Sequence, residues 1–130
     1  MLTITKQSDY GIILLSYIYK KKTIVRLSDL IKETKLPQRF LARIAAQLVK
    51  ADLLISHEGK GGGYQIGKKI KKISLYNYLK IFKDDFSLYG CGDAAYQCRY
   101  ESICQHKDSS NKLRKTITNQ LKKTRLMDLL

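Results

Sequence analysis

The chain has one proline, Pro37, and it falls between two short amphipathic stretches. Proline lacks a backbone N–H and pushes the residue before it, Leu36, away from the α region. The local pattern therefore predicts a helix that ends near Thr34, a turn at Lys35-Leu36-Pro37, and a new helix opened by Pro37. In the first of these helices Ser28 is the candidate cap and Asp29 lies in the first turn. Leu27, Leu30 and Ile31 face inward, and Lys32 and Glu33 face outward. In the second, over Gln38–Ala51, Leu41, Ile44, Ala45 and Leu48 recur at helical spacing, and Arg39, Arg43 and Gln47 fall largely on other faces. Two short helices around a tight turn, the second presenting Arg and Gln, form a helix-turn-helix pattern; a plain αα-hairpin would carry the same signal.

The next segment separates those two readings. Leu53–Ser56 reads as a strand, Glu58–Gly63 as a tip and Tyr64–Ile66 as a returning strand. A hairpin directly after the presumed recognition helix is the winged-helix arrangement. Gly61, Gly62 and Gly63 let backbone approach another surface closely. A phosphate loop for a nucleotide is the weaker alternative, since no Gly-Lys-Ser/Thr follows. Lys68, Lys69, Lys71 and Lys72 then form a basic run suited either to phosphate contacts or to a solvated linker.

The flanks predict three more helices. Ser8 and Asp9 are the candidate cap and first-turn pair of a helix over Tyr10–Lys21 that is apolar on most sides, hence buried, with a partner covering part of it. Ser74 can cap a helix over Leu75–Lys83, with Leu75, Tyr78, Leu79 and Phe82 at helical spacing and Asp84-Asp85 ending it. Ser109 or Ser110 can cap a last helix in which Leu113, Ile117 and Leu121 recur every four residues between lysines and arginine. So narrow a seam suits pairing with its own copy, although it could also lie on its own subunit. The predicted fold is mainly α with a small β-hairpin: a winged helix-turn-helix over residues 1–83, a cysteine-rich loop over 84–108, and a long dimerisation helix and tail over 109–130.

A formal charge of +14 from 25 basic and 11 acidic residues favours polyanionic partners. Nucleic acid fits better than a membrane surface, because the basic residues are spread along the chain and not gathered in one tail. No apolar run approaches the roughly 18 residues of a membrane span, and the start lacks the order of a signal peptide, so a cytoplasmic location is expected. Enzymatic chemistry is not expected. Only His57 and His106 could serve as imidazole bases, and neither a C-x-x-C nor an oxyanion pattern appears.

All three cysteines, Cys91, Cys98 and Cys104, stand in one short polar stretch with the spacing C-x6-C-x5-C, and His106 follows two residues on. In a reducing compartment an odd number of clustered thiols serves as metal ligands or redox groups more readily than as a disulfide framework. Arg99 and Lys107 favour the thiolate form. The residues alone allow an iron–sulfur site, a structural zinc held with His106, or a metal-free thiol switch.

The opening Leu2-Thr3-Ile4-Thr5-Lys6-Gln7-Ser8-Asp9-Tyr10, the helix-turn-helix, the wing Gly59-Lys60-Gly61-Gly62-Gly63-Tyr64, the three late cysteines and the closing Thr124-Arg125-Leu126-Met127-Asp128-Leu129 resemble the Rrf-two family of bacterial winged-helix regulators. The resemblance covers nearly the whole chain. It implies a homodimer on a pseudo-palindromic operator in double-stranded DNA, with the recognition helix in the major groove, the wing in the adjacent minor groove, and the last helix crossing to the partner. By this resemblance Gln38, Arg39, Arg43 and Gln47 contact bases or phosphates from the helix, and Lys60 and Tyr64 from the wing. It further implies a 2Fe-2S or 4Fe-4S cluster on Cys91, Cys98 and Cys104, and a transcriptional regulator, most simply a repressor, that senses nitric oxide, oxygen or iron–sulfur status.

One branch of the family (IscR-like) takes its fourth ligand from a histidine just after the third cysteine. Another (NsrR-like) takes it from an aspartate in the first helix of the other subunit. Asp9 matches the aspartate position, whereas His106 stands one residue closer to its cysteine than that branch has it, so Asp9 is favoured. A carboxylate beside three thiolates is a hard, exchangeable ligand that leaves one iron easier to attack. Three positions depart from the family pattern. The first cysteine gap is one residue longer, Glu58 stands where arginine is usual before the first wing glycine, and Ala42 replaces a base-reading glutamate. Alanine can pack on a thymine methyl but cannot accept a hydrogen bond from cytosine, so the operator should differ.

Overall fold

The first helix, α1, runs Lys6–Lys21 and so begins earlier than the Ser8-Asp9 pair predicts. Thr5 supplies the cap: its hydroxyl accepts from the Ser8 N–H at 3.3 Å. Ser8 is thereby freed to turn inward and is fully buried. The inward face continues through Gly11, Leu14, Leu15 and Ile18. Ile13 remains 40% exposed, so within one chain α1 is buried on one side and not all round.

The computed structural model describes residues 3–84, 86–88 and 96–130. The second helix, α2 (Leu27–Thr34), is preceded by Arg26, which makes no side-chain cap bond, so Ser28 is a first-turn residue and not the cap. Lys35 closes α2 in the left-handed region, φ 55°, with its N–H on the Ile31 carbonyl at 2.9 Å. The third helix, α3 (Gln38–Lys50), follows Pro37, which takes the cap position and not the first helical one. Its carbonyl accepts from the Leu41 N–H at 3.0 Å. Leu41, Ile44, Ala45 and Leu48 are fully buried, as their spacing predicts.

The wing consists of β1 (Leu54–His57) and β2 (Gly63–Ile66), antiparallel, with Leu54 opposite Ile66 and His57 opposite Gly63. Each strand lies one residue from its predicted start. Val25 adds a third backbone segment, exchanging two hydrogen bonds of 2.8 Å with Tyr64. That approach requires glycine at 63: φ is 153°, and a Cβ would run into the Val25 carbonyl.

A short 3-10 turn at Lys68–Lys71 buries Ile70 and leads to α4 (Leu75–Ile81), whose Ser74 cap accepts from the Asn77 N–H at 3.2 Å. α4 stops before Lys83, which adopts φ 58°. The last helix, α5 (Lys107–Lys123), starts ahead of Ser109 and Ser110, with His106 at its cap position and no side-chain cap bond. Its seam is only partly covered: Leu121 packs against the core, while Leu113 is 52% exposed. Beyond it the chain is stitched to the start of α4. The Leu75 N–H donates to the Thr124 carbonyl at 2.7 Å, and the Leu126 N–H to the Ile73 carbonyl at 3.1 Å. Leu126 is fully buried in the common core. Among the described residues no helix is long and apolar enough to cross a membrane.

Tyr78 of α4 crosses under α1. It is fully buried, and its hydroxyl donates to the Ser8 carbonyl at 2.6 Å. Burial, and then the negative charges of Asp84 and Asp9, raise the phenol above its ordinary value, so it stays a donor. Gly11 makes room for it, since a Cβ there would overlap the Tyr78 hydroxyl. Gly11→Ala should therefore destabilise the fold by about 1–3 kcal/mol in urea unfolding. Adding Tyr78→Phe should return part of that loss, because it removes the crowding oxygen. A Gly11→Ala protein as stable as the parent would contradict this packing.

Candidate DNA interface and cysteine segment

Burying one face of α3 leaves Gln38, Arg39, Ala42, Arg43 and Ala46 exposed on the other. Two alanines beside two arginines give a strip on which the helix backbone can come close to another surface while the guanidinium groups reach past it. Neither Arg39 nor Arg43 forms an ion pair among the described residues. Phe40, 43% exposed, packs edge-on against Tyr10 of α1 with ring centres 6.4 Å apart. α3 is thus anchored to α1 beside its polar strip.

Gln47 is half-buried, and its Oε1 is turned into the protein without a hydrogen-bond partner. As placed, that oxygen faces no groove. In the wing, Lys60 is exposed near the tip, but Tyr64 is half-buried against the core and its backbone is held by Val25. Tyr64 therefore builds the wing more than it presents a contact. His57 and Gln65 meet across the hairpin at 3.0 Å, a pairing that periodicity could not show. In the basic run that follows, Lys69 pairs with Asp52 at 3.1 Å; Lys68, Lys71 and Lys72 are exposed.

Cys98 and Cys104 are free thiols of intermediate exposure, and Cys91 lies outside the described residues. Two turns shape the stretch between them: the Glu101 N–H donates to the Cys98 carbonyl at 3.3 Å, and the Ile103 N–H to the Tyr100 carbonyl at 3.1 Å. The side chains around them face outward, with Tyr96, Tyr100 and Ile103 at 57%, 62% and 74% exposure. Lys107 pairs with Glu101. This contact lowers the Glu101 carboxyl and raises the Lys107 amine.

His106 is exposed, and its carbonyl accepts from the Ser110 N–H at 2.9 Å at the start of α5. Asp9 is exposed in the first turn of α1, where the helix dipole favours a carboxylate. Among the described residues no three His, Cys, Asp or Glu side chains of one chain are gathered closely enough to hold a metal. Neither Asp9 nor His106 is joined with Cys98 and Cys104 in such a group.

The family model described as "Rrf2: Iron-dependent Transcriptional regulator" matches residues 4–130. The HTH-type transcriptional regulator NsrR of Bacillus licheniformis is 23% identical over 130 residues, covering 98% of this chain and 91% of its own. Among solved structures, CymR (YrzC), the global cysteine regulator of B. subtilis, superposes with a TM-score of 0.75 at 21% identity, over 99% of this chain and 96% of that one. T. potens IscR superposes with a TM-score of 0.64 at 21% identity, over 98% and 85%. Both superpositions show the same fold as this chain.

The geometry of α3 separates its side chains by role. On a duplex selected from a random pool by the parent protein, Arg43→Ala should cost about 1–3 kcal/mol of binding, and Lys60→Ala should lower the salt slope by about one. Gln47→Leu should stay within roughly twofold of the parent, since it replaces an unpaired buried oxygen with apolar atoms. Anisotropy titrations at several salt concentrations measure all three. A Gln47→Leu loss equal to that of Arg43→Ala would mean that the side chain swings out to the DNA.

Proposed function

Because the chain belongs to the Rrf2 family of transcriptional regulators, we propose that it is a homodimeric, cytoplasmic DNA-binding repressor controlled by an iron–sulfur cluster on Cys91, Cys98 and Cys104, the partner's Asp9 being the fourth ligand. The observation that carries this reading is the position of the cysteines. The segment that holds all three joins α4, the last helix of the DNA-binding half, to α5, the helix whose apolar seam is only partly covered. Ligation there reaches both the DNA face and the dimer contact.

The donor set fits such a group. Cys98 and Cys104 are unpaired thiols that flank two turns, thiolates suit iron–sulfur clusters, and Asp9 is an exposed carboxylate on a helix. When bound, a cluster supplies a centre that reacts with nitric oxide or oxygen. The chain's own residues do the rest. The thiolates tie down the segment between α4 and α5, and Asp9 ties that segment to α1 of the other subunit. α1 packs against α3 through Tyr10 and Phe40. Arg39 and Arg43 hold the operator, Gln38 lies at the start of the same strip, and Lys60 follows the backbone at the wing. The Leu113–Ile117–Leu121 seam pairs with its copy. Releasing the cysteine segment changes the spacing of the two recognition helices and lowers affinity for the operator. The partly exposed, unpaired state of Cys98 and Cys104 also favours a second reading, a metal-free thiol switch at the same residues.

Anaerobically purified protein should be brown, with visible absorption bands and matched iron and sulfide. Cys91→Ala, Cys98→Ala and Cys104→Ala should each abolish the colour. Asp9→Ala should change the spectrum and the nitric-oxide response, and His106→Ala should leave both as they were. A colourless protein that iron and sulfide cannot reconstitute would sink the cluster and leave a zinc-bound or thiol-sensing regulator.

A further inference from the structure

Asp84 is a carboxylate in the core, 3% exposed. It stands immediately after α4, where the Asp84 N–H donates to the Leu79 carbonyl at 3.2 Å and Lys83 is turned at φ 58°. Among the described residues, its side-chain partners belong to the start of α1. Oδ2 accepts from the Ser8 hydroxyl at 2.6 Å, and Oδ1 lies 3.4 Å from the Thr5 N–H. The Ser8 hydroxyl in turn accepts from the Thr5 hydroxyl at 3.3 Å, while Tyr78 holds the Ser8 carbonyl from below. A residue at the root of the cysteine segment is therefore bonded to the turn that carries Asp9.

We propose that Asp84, clasped to Ser8 and Thr5, is the positioning residue that transmits the state of the cysteine segment to α1, and through α1 to the recognition helix α3. The inference rests on the proposed cysteine-controlled DNA binding and adds the route. The clasp has two states, because a partly opened one would leave a carboxylate buried without its donors. A pull on the segment after Asp84 either carries the start of α1 with it or opens the clasp to water. Both change α1, and α1 meets α3 at the Tyr10–Phe40 contact beside the arginines. Coupling through packed, two-state elements of this kind needs no direct contact between the sulfurs and the DNA.

The test uses the full chain in three forms: cluster-loaded, cluster-free, and cluster-free with its cysteines alkylated by N-ethylmaleimide. The parent should show at least about a fivefold difference in operator affinity between loaded and cluster-free protein. Ser8→Ala and Asp84→Asn should shrink that difference to within about twofold while leaving cluster-free affinity within about twofold of the parent. A residue that merely stabilised the fold would move both states together, so variants that keep the full difference overturn the proposal. Hydrogen exchange on the parent decides the matter even where the variants fail to fold. The Ser8 and Asp9 amides should exchange at different rates in cluster-free and alkylated protein, and equal rates overturn the clasp. If exchange differs while no cysteine state alters DNA affinity, the clasp stands and the proposed function falls.

Discussion

Two side chains from one short stretch, Tyr78 and Asp84, meet the first turns of α1, and the rest of the arrangement follows from how they are satisfied. A buried phenol and a buried carboxylate are each costly unless bonded. Here they share Ser8: its carbonyl takes the phenol and its hydroxyl serves the carboxylate. This fixes the height and rotation of α1 over α4, with Gly11 giving the clearance. Once α1 is placed, its apolar face seats α3 beneath it, and the stitching of Thr124 and Leu126 to the start of α4 brings the far end of α5 into the same core.

The surface is organised by what the core leaves outside. α3 divides cleanly between a buried apolar face and an exposed strip of arginine and alanine, a form that suits close approach to another surface. The wing is held by the Val25 bridge, which Gly63 makes possible, and by the His57–Gln65 pair. Charge alone is an uneven guide to this surface. Of the lysines singled out in the sequence, Lys69 and Lys107 are paired with carboxylates, while Lys60, Lys68, Lys71 and Lys72 face solvent.

How far the candidate site was legible depends on the kind of residue. The cysteines announce themselves by type and spacing, since three soft ligands in a polar stretch have few other uses. Asp9 was legible only through the family resemblance, because an aspartate in a first helical turn is ordinary on dipole grounds. Asp84 read as a helix terminator, and nothing in its neighbours marks it as a buried anchor whose partners are 76 and 79 residues away in sequence. Gln47 read as a polar contact because its spacing differs from that of the apolar positions. A residue on the border of a helical face can turn either way, and only its neighbours settle which.

Local chemistry was enough to establish that this is a mainly helical chain with a hairpin. The proline break, the helical recurrence of apolar residues and the glycine-rich tip are all short-range signals that act before any long-range contact forms. Helix boundaries were less accessible, because several residues can cap: Thr5 caps α1 while the Ser8 hydroxyl donates to Asp84, and α5 begins at Lys107 ahead of both serines. Only the tertiary structure decided that Asp84 and Tyr78 would converge on α1, that Gln47 would turn inward and that Val25 would join the wing. Those outcomes depend on groups distant in sequence satisfying one another in a place closed to water, and no periodicity carries that information.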